Sequence, residues 1–267
     1  SIASEKGEFT EARRHLQAAL ESNPYAIELR TEFMHFLYKQ MKLSEAERYG
    51  ADLIFDHPED PDTRFGYGLV LKKVGKIDRA IEQFRKTVQI DSGHVEARRQ
   101  IILIFRDEGN FDAAIVEAKK WIKVKAISAM GHDMLADLLR ERKQFKAAAA
   151  HYEYAIKLDP DFVVARSKYV QLMARQKRIN TAIRVLRQQV HADPHILEGY
   201  SILGLALDIA GRRSEATETL REGLERDSGN VKMLRELAWN LATTQDAQAR
   251  NGGEAVRFAQ MMVKRFP

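Results

Sequence analysis

The apolar residues of this chain fall in short runs spaced three and four apart, and the runs themselves return at a constant interval along the chain. Spacing of three and four puts apolar side chains on one face of a helix, so each run predicts an amphipathic helix. A small residue marks the longer period: Ala12, Ala46, Ala80, Ala114, Ala148, Ala182 and Ala216. Three positions earlier stands a large apolar anchor in six copies, namely Phe9, Leu43, Ile77, Phe111, Phe145 and Ile179. Twelve positions before the periodic site the chain has Gly68, Ala136, Gly204 or Ala238, so small side chains recur on two surfaces that must meet. A fixed period of this length predicts stacked repeats, each too small to bury its own apolar face.

The breaks between runs show what one repeat contains. Pro24, Pro58, Pro160 and Pro194 follow the periodic alanine by twelve residues, with Ser92, Ala126 and Ser228 in the other copies. Proline cannot donate within a helix and restricts the residue before it, so these positions end one helix and admit the next. Within the period, Gly7, Gly75, Gly109 and Gly211 mark a second break, where glycine can take the left-handed conformation that closes a helix. Each period is therefore expected to hold two antiparallel helices joined by a tight turn.

With these anchors in place the chain resembles the tetratricopeptide repeat family. Residues 163–196 carry Tyr169, Val170, Met173, Ile179, Ala182, Leu186 and Pro194 in the family's order, and residues 129–162 carry Leu135, Ala136, Leu139, Phe145, Ala148, Tyr152, Ala155 and Pro160. The resemblance implies an all-α fold, an α-α superhelix of antiparallel helix pairs with a right-handed twist and about seven and a half repeats. The expected divisions are a partial repeat over 1–26, full repeats over 27–60, 61–94, 95–128, 129–162, 163–196 and 197–230, and a last repeat over 231–267 with an extended turn at 243–253. In that last copy Glu254, Ala255, Ala259, Met262 and Pro267 resume the second helix five residues late. Asp246 is expected to cap a short turn and Asn251-Gly252 to reverse the chain. Its wording resembles the late repeats of bacterial arrays, some attached to membrane glycosyltransferases or exported proteins. The chain departs from the family where an aromatic is expected early in the first helix and Arg30, Arg64, Arg98 and Arg166 stand instead. Their stems are expected to cover the neighbouring repeat with the charged heads in water. Trp121 occupies a position held by alanine in other copies.

Composition changes this picture little. Lys and Arg total 43 against 38 acids, a formal charge of +5 spread along the chain, which by itself does not imply nucleic acid. There is no cysteine, which excludes disulfides, thiol catalysis and cysteine-bound metals. Ser1 falls inside an expected first helix and Pro267 at an expected repeat boundary, so the chain reads as a fragment of a longer one. A bacterial cytoplasm and a periplasmic or membrane-tethered setting both fit. No run reaches the roughly 20 apolar residues of a membrane span.

Candidate chemistry is sparse. His191 and His195 are the close histidine pair, but no further ligands accompany them as zinc requires. Asp133 and Asp137 share a helix face and are expected to be solvated. Gly66 and Gly68 belong to helix packing, since no strand precedes them. The segment is expected to be non-catalytic, with no catalytic residue, cofactor, metal or small-molecule substrate.

Function is then sought on the stripe of each first helix that faces away from its partner. That stripe gives Phe65, Leu69, Lys72 and Lys73, then Arg99, Leu103 and Arg106, then Asp133, Asp137 and Arg140, then Lys168, Gln171 and Arg175, with Leu205 further on. Phe65, Leu69, Lys72, Lys73, Arg99, Leu103, Arg106, Arg140, Lys168 and Gln171 are the expected partner-binding residues. Lys72, Arg106 and Arg140 form a cationic row beside apolar Phe65, Leu69 and Leu103, suited to a protein or peptide bearing acidic and hydrophobic residues. The same row also places cations near helix C-termini, which the helix dipole favours. The stripes contain no asparagine, which argues against the carboxylate clamp and the asparagine ladder of known family members. Three functional classes follow: an interaction scaffold, the regulatory or targeting arm of a larger enzyme or export protein, and an RNA-binding array. The length of the period and Leu69, Leu103 and Leu205 on the stripe argue against the last.

Overall fold

The computed structural model describes residues 2–124, 128–244 and 250–265, without the side chains of 2–9 and 264–265. The described residues form fifteen helices and no strand. They divide into two compact units, Ser1–Ala126 and Ile127–Pro267. The first holds α1 (Ile2–Ser22), α2 (Ile27–Lys39), α3 (Leu43–Asp56), α4 (Pro61–Val74), α5 (Ile77–Ile90), α6 (Val95–Asp107) and α7 (Phe111–Val124). The second holds α8 (Ala129–Glu141), α9 (Phe145–Leu158), α10 (Val163–Arg175), α11 (Ile179–Ala192), α12 (Leu197–Ile209), α13 (Arg213–Arg226), α14 (Val231–Thr243) and α15 (Gly252–Arg265).

First helices begin at Ile27, Pro61, Val95, Ala129, Val163, Leu197 and Val231, at the same constant interval as the periodic alanines. Second helices keep that step from Leu43 to Arg213, and α15 then starts at Gly252, five residues late. The periodic alanines explain the pairing. Ala46, Ala80, Ala114, Ala148, Ala182 and Ala216 are all fully buried, because any larger side chain there would hold the two helices of a hairpin apart. The small residues on the first helix act likewise: a Cβ on Gly68 would sit 2.6 Å from the Phe84 ring.

The turns obey the same register. The backbone is left-handed at Met41, Gly75, Gly109, Lys143, Lys177 and Gly211, one position in each of six successive repeats, with φ between 55° and 88°. N-caps recur too. Asp60 accepts from Thr63 N, His94 Nδ1 from Ala97 N, Ser128 from Gly131 N and Asn230 from Met233 N. In the long last turn Arg250 Nε donates to Thr244 O, and Asn251 Oδ1 accepts from Glu254 N at the start of α15.

Two expectations need correction. Gly7 does not end a helix, since α1 runs unbroken from Ile2 to Ser22. A lone glycine lowers helix propensity by about 1 kcal/mol without breaking the hydrogen-bond ladder. Of the arginines at the early first-helix position, Arg64 and Arg166 also do not hold their heads in water. Arg64, only 9% exposed, donates from Nε to Pro58 O (2.5 Å) and from Nη1 to Gln83 Oε1 (2.8 Å). Arg98 donates to Ser92 O, and Arg30 pairs with Asp56 at 2.8 Å. Arg166 is fully buried, and its Nε and Nη1 find no acceptor. At Arg64 and Arg98 the guanidinium thus ties the loop before the first helix to its own repeat, satisfying a carbonyl that the loop leaves free. Where Tyr200 takes the position, Arg226 reaches across from α13 to Pro194 O and the tyrosine hydroxyl. Trp121 is accommodated without exposure. Asp246, Ala126 and Pro267 lie outside the described residues.

Candidate functional site

In the first unit the stripe formed by α4 and α6 holds seven of the expected site residues. Phe65, Leu69 and Leu103 remain half-buried. The Phe65 ring lies 5.7 Å from Phe84 and 4.7 Å from His94, so the imidazole that caps α6 also bears on the apolar patch. Lys73, Arg99 and Arg106 are exposed. Several cations already have neighbours of opposite or complementary character. Lys72 Nζ donates to Gln100 Oε1 at 2.8 Å, Arg99 pairs with Glu96 at 3.1 Å and Arg106 with Asp107 at 2.7 Å. The last two pairs are exposed and local, and such pairs hold a cation by only about 0–1 kcal/mol. They leave Arg99 and Arg106 able to turn to another carboxylate.

Arg140, Lys168 and Gln171 belong to the second unit, where the stripe has another character. Lys168 Nζ donates to Asp133 Oδ2 at 2.7 Å and to Asp137 Oδ2 at 2.6 Å, joining α10 to α8. The Tyr152 hydroxyl donates to Asp137 Oδ1 at 2.6 Å, and Arg140 lies 3.6 Å from Asp137 and 2.8 Å from Glu141. Asp133 is not solvated as expected but 4% exposed, and its Oδ1 has no donor. Burial pushes the Asp133 carboxyl above the usual range, against the pull of Lys168. Burial opposes the Lys168 ammonium, yet its bonds to the two carboxylates prevail and raise its pKa. Burial and the bond to Asp137 raise the Tyr152 phenol. Lys168 is therefore engaged inside the unit, whereas Gln171 stays exposed.

Further along the second unit, α12 and α14 border a groove of about 400 Å³. Its lining includes Leu205, Asp208, Arg235, Glu236, Trp239 and Asn240. Leu205 and Trp239 are 45% and 64% exposed, large apolar surfaces that the unit leaves in water.

Among the described residues no group of three or more His, Asp or Glu side chains could hold a metal ion. The close histidine pair is not the sequence neighbours His191 and His195: His132 Nδ1 and His151 Nδ1 lie 2.9 Å apart, and their rings stack. No helix among the described residues is long and apolar enough to cross a membrane.

Comparison with known proteins agrees with this geometry. Residues 139–197 match the tetratricopeptide repeat family model. The C-terminal part of a tetratricopeptide repeat-containing protein from Cytophaga hutchinsonii aligns with a TM-score of 0.56 at 18% identity, over 87% of this chain and 96% of that one. A tetratricopeptide repeat protein from Parabacteroides merdae aligns with a TM-score of 0.51 at 16% identity, over 89% and 94% of the two chains. Over residues 139–197 the chain is similar to the tetratricopeptide repeat family, and its fold is that of the two repeat proteins. No curated protein matches it.

The repeat frame also explains what sequence reasoning missed. Stepping one repeat at a time from Leu69 gives Leu103, Asp137, Gln171, Leu205 and then Trp239, so the register itself puts Trp239 on the stripe. Asn240 was hidden for another reason. It corresponds to Ala206 and Leu172, core positions in the other repeats, and although buried it borders the groove.

Proposed function

We propose that this array is a non-catalytic interaction scaffold, and that the face of α4 and α6 binds a protein or peptide segment bearing apolar and acidic residues. The observation that carries the reading is the half-buried patch of Phe65, Leu69 and Leu103 bordered by exposed Lys73, Arg99 and Arg106. Apolar side chains of the partner would gain from leaving water. The cations would set its orientation and raise its association rate. The local pairs of Arg99 and Arg106 are weak enough to be exchanged for carboxylates of a partner.

The test uses labelled peptides that alternate leucine and glutamate, with binding followed by fluorescence anisotropy. Leu103→Glu together with Arg106→Glu should weaken binding about tenfold or more by removing one apolar contact and reversing one charge. Helicity and melting should not change. Retained binding by a folded double variant would exclude this face.

A further inference from the structure

The groove between α12 and α14 differs from the α4–α6 face in the sign of the charge it encloses. Glu236 Oε2 is buried and accepts no hydrogen bond. Burial raises the Glu236 pKa, while Lys232 and Arg235 oppose that rise. The other acid of the lining, Asp208, is already held by Arg213 Nε at 3.0 Å. Glu236 is thus the lining carboxylate that still lacks a donor, a condition a charged donor relieves most effectively. Arg235 is exposed, so water and salt weaken its repulsion of an incoming cation. Beside Glu236, Trp239 offers an indole with most of its surface open, and such a ring attracts a guanidinium or ammonium placed over its face. Leu205, the corresponding residue of the preceding repeat, supplies an exposed aliphatic surface.

We infer that this groove binds a partner segment through one arginine or lysine, whose head donates to Glu236 and lies on Trp239, next to an aliphatic residue that packs on Leu205. The unpartnered Glu236 oxygen selects a cationic side chain. The exposed apolar pair selects its neighbour. The site uses other residues than the α4–α6 face and prefers the opposite charge, so the two can fail independently.

The two tryptophans make the test direct. Trp121 is 1% exposed and Trp239 is 64% exposed, so acrylamide quenching of the emission reports mainly on Trp239. The probes are acetylated, amidated peptides of sequence Ala-Leu-Arg-Leu-Ala, with citrulline or glutamate replacing arginine in two controls. The arginine peptide should shift the emission to the blue and protect it from acrylamide. The citrulline peptide, equal in shape but uncharged, should bind about tenfold more weakly, and Glu236→Gln should erase that difference. Equal binding of the arginine and citrulline peptides, preference for the glutamate peptide, or no protection by any of them would overturn the inference. If Glu236→Gln loses helicity, the citrulline comparison on the unaltered chain decides.

Discussion

Lys168 holds two carboxylates of the preceding repeat, one of them almost fully buried, and this contact sets a stability that depends on pH. Removing one partner of such a buried pair leaves a charge uncompensated and costs about 3–5 kcal/mol. Lys168→Met should therefore destabilise the chain by about 3 kcal/mol at neutral pH. Asp133 has a raised pKa in the folded state, so its contribution is fully present below the unfolded value of 3.8 and is lost as pH rises through the folded value. Without Lys168, whose bonds pull that pKa down, the rise is larger and the loss above it greater. The cost of Lys168→Met should thus be smallest near pH 4 and grow toward pH 7, which urea melts across that range would measure. A cost independent of pH would mean that Asp133 does not carry it. None of this was legible in the sequence. Asp133 and Asp137 looked like an exposed pair because the apolar pattern shows which face of a helix turns inward and not how deeply a neighbouring repeat covers its edge. The arginine at position 64 misled for a related reason, since its acceptors are a loop carbonyl and a core side chain that no sequence pattern displays.

The turns at Gly75, Gly109 and Gly211, by contrast, were legible, because their cause is local: glycine takes the left-handed conformation that closes a helix. The turn also leads to a prediction. Met41, Lys143 and Lys177 adopt the conformation that glycine takes at positions 75, 109 and 211. A residue with a Cβ costs about 1–2 kcal/mol there, and glycine returns some of that through its unfolded-state entropy. Lys143→Gly should accordingly stabilise the chain by about 0.5–1 kcal/mol. Gly75→Ala should destabilise it by about 1 kcal/mol through backbone strain alone, since nothing lies within 4 Å of the added Cβ. Chemical denaturation of the two variants would give opposite shifts in midpoint, and shifts of the same sign would refute the account. Gly7 marks where local cues fall short. The residue type that ends several helices sits within α1, where the chain simply continues as helix.

At the scale of the whole molecule, the period means that each repeat packs chiefly on its neighbours. Stability is then a sum of repeat and interface terms, and damage in one place need not be felt everywhere. Ala182 is fully buried between the helices of its hairpin, so Ala182→Leu should force α10 and α11 apart at a cost of about 1–3 kcal/mol. Native-state hydrogen exchange can show where that cost falls. Amides of α10, α11 and the adjoining α12 should exchange faster, while those of α4 and α5 keep their protection. The Leu205 and Trp239 groove lies on α12 and α14, so the same variant should also weaken arginine-peptide protection of Trp239 without altering binding at the α4–α6 face. Uniform acceleration across every helix would instead show that the array unfolds as one cooperative body, and the two candidate binding faces would then share a single stability.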